Sequence, residues 1–329
     1  MRMKICYNTR VQTKRVRHME KTKIKVFGIG SGGCRIVDIL IVEEAVDTEF
    51  FTVDTEMSPH SLCKNHICVY DESLAKDGVE MNELYGSTAT EHCSDKLIEA
   101  ISDTDLLFVA AGIGDSAEYG MAAALSKIAR QSGIPTVAVI ATPFNFEGEE
   151  RIKESRLWID KIKENSDGIV LISSEKILSD TEKDKTYACA MKKSDMTLAE
   201  CIKDMSSYIT VPKTINYELF DLMQLLSAKG QIYYGKGEGK GKEKIFYALQ
   251  RALDNRIQDV SPNGAKNIVL SVEGGCNLGI HDCEQVIQSV RDIFGAHANI
   301  VFGANIDMSL SDTVRVTVFA SDMNTGGED

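Results

Sequence analysis

The sequence predicts an α/β protein with two units, a parallel sheet covered on both faces and then a smaller α/β unit. Three observations carry this. Strand-like and helix-like runs alternate from residue 23 to about 180, the strand runs are apolar throughout, and glycine turns sit where strands pass into helices. An antiparallel sheet with one wet face would instead alternate apolar and polar residues.

In chain order, "KIKVFGIG" (23–30) reads as a strand entering a glycine turn, and "CRIVDILIVEEA" as the helix after it. "TEFFTVDT" and "NHICVYD" follow as strands, then the helix "TEHCSDKLIEAIS" and the strand "DTDLLFVAAG". A second glycine turn leads into the Ala/Leu-rich helix ending at Gly133. The strand "IPTVAVIATPF", the helix "EERIKESRLWIDKIKENS" and the strand "DGIVLISS" complete the first unit. Beyond the polar stretch "SDTEKDKTY", a long helix is expected over 187–210, stopping before Pro212, and another over 217–229. The stretch "YYGKGEGKGKEK" reads as a hairpin-like or flexible surface segment. The strands "KNIVLSVEGG", "ANIVFGANID" and "VRVTVFAS" around the helix "DCEQVIQSVRDIF" make the second unit.

Composition narrows the function. The chain has 329 residues, 43% hydrophobic and 26% charged, an ordinary globular balance with room for two domains. A net charge of −12 argues against nucleic acid or an acidic membrane as a partner. No apolar run approaches the roughly 18 residues that span a bilayer, and no secretory signal is visible, which excludes direct membrane insertion and points to the cytoplasm. Nine cysteines without CxxC spacing read as reduced thiols. Residues 1–18 are basic and unpatterned, either a tethering arm or a disordered extension upstream of Met19.

Several stretches could carry chemistry. "GIGSGG" fits G-x-G-x-x-G through Gly28, Gly30 and Gly33, and Asp54 stands about 20 residues on, where a dinucleotide-binding protein keeps its ribose acid. Read alone, the turn allows a nucleotide, NAD specifically, or no ligand. The set His60, Cys63, His66 and Cys68, with His92 and Cys93, has irregular spacing for a metal and reads better as a packed connection. "TPFNFEGEER" places aromatic and polar residues at the C-terminal edge of the sheet, where ligands bind. Its Arg151 opposes the helix dipole, which suggests either an anionic partner or an ion pair. In "INYELFD", Asn216, Glu218 and Asp221 cluster at a helix start, where Asn216 or Glu218 as a cap would be enough to explain them.

Taken in order, "IKVFGIGSGG", "EFFTVDT", "DTDLLFVAAG", "IPTVAVIATPFNFEG", "IVLIS", "NYELFD" and "ANIVFGANIDMSLSDTVRVTVFAS" resemble the FtsZ family of the tubulin superfamily over residues 23–321. The resemblance implies a Rossmann-type GTP-binding domain at 23–186, a central helix with a partner-reaching loop at 187–222, a C-terminal α/β domain at 223–321 and a tail at 322–329. It implies guanine nucleotide (GTP or GDP), with Mg2+ as a further candidate, held between subunits stacked head to tail. Gly28, Gly30, Ser31, Gly32, Gly33, Cys34 and Arg35 would form the first phosphate loop, and Gly114, Asp115, Ser116, Ala117 and Gly120 the second. Glu147 would meet the ribose or base, Arg151 the phosphates, and Asp195 the purine. Asn216, Glu218 and Asp221 would complete the neighbouring subunit's site.

The departures concentrate on phosphate. The family's G-G-G-T-G-T-G loop keeps here only its first and last glycines, Gly114 and Gly120, and acquires Asp115 and Glu118. Asp115 and Ser116 suit an N-cap and Glu118 a first helical turn, so the helix start is expected to be capped by its own side chains. A carboxylate about 4 Å from a phosphate charge costs roughly 4 kcal/mol at an effective dielectric of 20. The family's Gly-Ala-Gly loop reads "DGV", its asparagine after the first glycine loop is Arg35, its base-stacking Phe is Met191, and a base-contacting Asn is Ser174. The expected function is a self-associating filament protein with weak or atypical nucleotide binding and slow hydrolysis. The alternatives are a non-enzymatic paralogue that regulates or caps a conventional FtsZ and, remotely, an NAD-linked enzyme. The chain stops at "SDMNTGGED" without the linker and docking peptide usual in the family; either it ends short of that tail or it does not use that recruitment route.

Overall fold

Seven parallel strands form the larger sheet: β1 (Ile24–Ile29), β2 (Thr48–Asp54), β3 (His66–Cys68), β4 (Leu106–Ala111), β5 (Thr136–Thr142), β6 (Gly168–Ser173) and β7 (Gly230–Gln231), in the spatial order β3-β2-β1-β4-β5-β6-β7. The computed structural model describes residues 22–55, 61–76, 79–112, 117–179, 186–254, 257–295 and 297–323. Residues 1–21, His60, and Gly114, Asp115 and Ser116 therefore lie outside the described residues.

Strand β4 shows why these runs are apolar throughout. Leu106, Phe108 and Ala110 enter one hydrophobic cluster, while Leu107, Val109 and Ala111 enter the cluster on the opposite face. Successive side chains of a strand point to opposite faces, so burial on both sides leaves no position for a polar residue. Helices α1 (Gly30–Val42) and α8 (Tyr187–Thr210) contribute to the first cluster. Helices α4 (Ser94–Ile101), α5 (Ala117–Gln131) and α6 (Glu149–Asn165) contribute to the second. Short helices α2 (Glu72–Lys76) and α7 (Ser174–Ser179) complete this unit.

The single helix expected over "TEHCSDKLIEAIS" is two: α3 (Glu83–His92) and α4, joined at Cys93. Helix α3 starts upstream, where the Asn82 side chain accepts from the Tyr85 N–H at 3.1 Å. It lies directly on α5, because a Cβ at Gly120 would come 1.7 Å from the Glu83 carbonyl oxygen. Gly120, expected at a phosphate, is thus placed in a helix crossing.

The smaller sheet has the order β10-β9-β11-β8, with β8 (Tyr233–Lys240), β9 (Asn267–Gly274), β10 (Asn299–Ile306) and β11 (Thr313–Ser321). Strands β9 and β10 are parallel, and β11 is antiparallel to β8 and β9. Helices α10 (Lys244–Leu253) and α11 (Ile280–Phe294) share a core with this sheet, whereas Val269 and Phe319 join the core of α8 and α9 (Leu219–Leu226). Helix α9 begins later than expected because Tyr217 is held elsewhere, stacked on Tyr208 at 4.6 Å between centroids.

The glycine-lysine stretch is a full strand rather than a flexible segment. In β8, Gly235, Gly237 and Gly239 are buried while Glu238 and Lys240 are exposed, the period-2 pattern of a half-buried strand. Added Cβ atoms at the three glycines would lie 1.8, 2.2 and 1.8 Å from the carbonyl oxygens of Ala252, Ala248 and Lys244. Helix α10 therefore rests on the strand backbone, and only glycine permits that approach.

Candidate functional site

The first glycine loop closes the turn between β1 and α1. Gly30 has φ +65°, a left-handed conformation that favours glycine. Gly28 and Gly33 pack backbone to backbone, since a Cβ on Gly28 would lie 2.3 Å from the Gly33 carbonyl oxygen. The turn thereby aims the first N–H groups of α1 outward, as an anion seat would.

That seat is filled from within. Glu118, in the first turn of α5, is 2% exposed and reaches across to the glycine loop. Its Oε1 accepts from the Gly32 N–H at 3.0 Å and from the Ser31 hydroxyl at 3.1 Å. A Cβ on Gly30 would lie 2.1 Å from Glu118 Cγ. Burial, then the negative charges of Asp54, Glu118 and Asp38, pushes the neighbouring Cys34 thiol up to about 12. Cys34 is therefore a neutral packing group in a negative environment. Sequence patterning correctly puts Glu118 in a first helical turn, but its acceptor role serves α1 rather than its own helix.

The side expected to face a base is built on α8. Asp195 is 3% exposed, and its Oδ2 accepts from Arg35 Nε at 2.7 Å. Burial pushes the Asp195 carboxyl above its usual range, and the Arg35 guanidinium only partly offsets this. Asp195 Oδ1 and Ser174 Oγ are both buried with no hydrogen-bond partner among the described residues. Buried polar atoms without partners are costly, so two on the side expected to face a base fit a ligand that supplies donors.

Arg151 pairs with Glu147, Nε to Oε2 at 2.6 Å, one helical turn apart. Of the two readings offered by the sequence, the structure displays the ion pair. Phe144, Phe146 and Tyr187 form an aromatic cluster with centroids 5.0 to 5.7 Å apart, in which Phe146 is 63% and Tyr187 48% exposed. Burial and then the Glu147 carboxylate raise the Tyr187 phenol, with Arg151 and Arg35 acting in the opposite direction. Sequence reading missed Tyr187, although Tyr187, Met191 and Asp195 are spaced i, i+4, i+8 on one face of α8.

Asn216, Glu218 and Asp221, expected to reach a neighbouring subunit, lie beyond the other end of α8. The Glu218 N–H donates to Asp221 Oδ2 at 2.8 Å, and Asn216 Oδ1 accepts from the Lys213 N–H at 2.6 Å. Of the two cap candidates, Asn216 and Glu218, it is Glu218 that occupies the N-cap position, but the side chain bonding the cap's N–H is that of Asp221. Tyr217 anchors the loop, its hydroxyl donating to the Leu270 carbonyl at 2.6 Å. Beneath it, burial lowers the Lys213 pKa despite Glu273 nearby, and its Nζ lies 4.5 Å from the Tyr208 ring centre. Ile215, Phe220 and Met308 are exposed around this loop. The metal reading of the His/Cys set finds His66 instead hydrogen bonded to Thr52 at 2.9 Å.

Fold and site define the class: a GTPase-type sheet domain coupled through a central helix to a mixed-sheet domain. Residues 23–182 match the Tubulin/FtsZ family GTPase domain, and residues 230–324 match the FtsZ family C-terminal domain. The chain belongs to the tubulin/FtsZ family. Its glycine turn therefore belongs to a GTPase-domain fold rather than to a dinucleotide-binding enzyme. It is similar to an empty FtsZ dimer from M. jannaschii at 25% identity and TM-score 0.82, covering 92% of this chain and 89% of that one. A tryptophan-to-tyrosine mutant of M. jannaschii FtsZ matches at 26% identity and TM-score 0.84, over 93% and 92% of the two chains. The fold also matches CetZ2 from Haloferax volcanii, a GTPγS-bound protofilament, at 13% identity and TM-score 0.76, over 92% and 95%. Among the described residues no helix is long and apolar enough to cross a membrane.

Proposed function

We propose that this protein is a cytoplasmic cytoskeletal element that stacks head to tail into filaments, with a guanine nucleotide at the subunit interface held weakly and hydrolysed slowly. One observation carries the reading. Asp195 and the loop bearing Asn216, Glu218 and Asp221 are separated by the rest of α8, which runs on to Thr210. Fifteen helical residues rise about 22 Å, so one chain cannot bring both sets to one ligand, whereas a stacked second copy can. The exposed apolar residues Ile215, Phe220 and Met308 around that loop suit a contact surface. In that contact the carboxylates would meet the neighbour's ligand and hold water or a cation there.

The test is sedimentation and electron microscopy of the purified protein with and without GTP. Filaments are expected at high concentration, and Asp221→Ala is expected to reduce polymer and to lower any GTP turnover by about 10²-fold or more. Absence of polymer under every nucleotide condition would overturn the reading. Glu118, reaching from α5 into the glycine loop, favours a second reading, a non-enzymatic paralogue that regulates or caps a conventional FtsZ. Co-sedimentation with such filaments tests it, and no effect on their length or number would count against it.

A further inference from the structure

A triphosphate does not fit the glycine loop as it stands, because the N–H that would meet it already bonds a carboxylate. We propose that Glu118 is a built-in occupant of the anion seat, so that this site takes a guanine ligand through its nucleoside end and gains no affinity from the phosphates. The inference rests on the preceding reading only in assuming that a base seat exists beside Asp195.

Five observations converge. The Glu118 carboxylate is buried and bonded to the Gly32 N–H and the Ser31 hydroxyl, the donors a phosphate oxygen would use. The two arginines at the cleft are each paired with a carboxylate of the same chain, Arg35 with Asp195 and Arg151 with Glu147. Asp54, Glu118 and Asp38 all act on Cys34 within the loop, so the local potential opposes an incoming anion. On the base side, by contrast, buried Asp195 Oδ1 and Ser174 Oγ lack partners among the described residues. The exposed rings of Phe146 and Tyr187 next to that side offer stacking surface for a purine. The loop's Gly32 N–H and Ser31 hydroxyl are thus taken by Glu118, while Asp195 Oδ1 and Ser174 Oγ stay open to a ligand among the described residues.

A phosphate could enter only by displacing a buried carboxylate that already makes two hydrogen bonds. The displaced charge would remain beside the phosphate unless the side chain swung out to water. Either way the phosphates forfeit what they contribute in an open helix N-terminus, while the base contacts are unchanged.

Calorimetric titration of the full chain with guanosine, GMP, GDP and GTP, with and without Mg2+, tests this. In the wild type the four affinities are expected to agree within about threefold, a difference of under about 0.7 kcal/mol. Glu118→Ala opens the seat, and Glu118→Gln keeps the side-chain volume while removing the charge. In either variant GTP should bind at least about tenfold tighter than in the wild type, as expected when a unit charge near a phosphate is removed. Guanosine affinity should stay within about threefold. Glu118→Gln, near-isosteric, keeps the test sound if the alanine variant does not fold.

Wild-type affinity that climbs steeply from guanosine to GTP and is unchanged in Glu118→Gln would overturn the inference while leaving the guanine-binding reading intact. Steep climbing only with Mg2+, lost in Glu118→Gln, would also overturn it, making Glu118 a cation ligand. No binding of any of the four ligands to the wild type or either variant would overturn the guanine-binding reading, and this inference with it.

Discussion

Two glycine-rich stretches in this chain have similar composition and opposite purposes. In "GIGSGG" the glycines let a chain turn, bring α1 against β1, and leave N–H groups facing a cleft. In "YYGKGEGK" the glycines 235, 237 and 239 alternate along the strand so that α10 can lie directly on its backbone. The spacing separates the two cases: glycines at i, i+2 and i+5 across a strand end make a seat, while glycines at i, i+2 and i+4 within a strand make a flat packing face. The seat, though, is closed by Glu118, a residue 86 positions away from Gly32.

The largest expected effect lies on the packing side. Gly237→Ala places a methyl 2.2 Å from the Ala248 carbonyl oxygen, a backbone atom that cannot turn aside. It should cost about 3 kcal/mol, the upper end of ordinary overpacking, read as a fall in the urea midpoint of the C-terminal domain. A loss below about 0.5 kcal/mol would mean that α10 does not rest on β8 as described.

Gly30→Ala should cost less, about 1–2 kcal/mol, because the left-handed backbone is penalised while the clash is with a side chain. Removing Glu118 should recover the clash component of this cost and leave the backbone component. The double variant is therefore expected to be less destabilised than the sum of the singles. The same Glu118 change combined with Gly237→Ala should be additive within about 0.5 kcal/mol, since the two share no partner. Equal coupling in both pairs would erase the distinction between seat and packing face.

The smallest effect is one of pH. Burial raises the Asp195 carboxyl above the ordinary carboxylate value of 3.8, so the folded state holds that proton more tightly than the unfolded chain. Its contribution to stability is therefore greatest at low pH and falls as pH rises from about 3.8 through the folded value. Relative to Asp195→Asn, the wild type should gain stability as pH is lowered from 6 towards 4. A constant difference between the two proteins over that range would contradict the described environment of Asp195.

Much of the fold was legible because strands buried on both faces leave an unbroken apolar record, as β4 and β5 do. The family blocks alone put Asp195 inside the central helix and Asn216, Glu218 and Asp221 past its far end. What escaped depended on long-range approach. Glu118 looked like a residue complementing its own helix because its true partners, Ser31 and Gly32, are distant in sequence. Strand β8 was hidden because its inner face carries glycine where pattern reading looks for apolar side chains. Tyr187 is legible only through its helical spacing to Asp195, since no motif marks it. Asp115, on which the expectation of a self-capped helix also leaned, lies outside the described residues, so the closed seat rests on Glu118 alone.

Hydrogen exchange of the nucleotide-free protein measures that seat most directly. The peptide spanning residues 24–36 should show a protected Gly32 amide in the wild type, with protection lost in Glu118→Ala and no change in the peptide spanning residues 233–241. Equal exchange at Gly32 in the wild type and the variant would contradict a glycine loop that is closed from within.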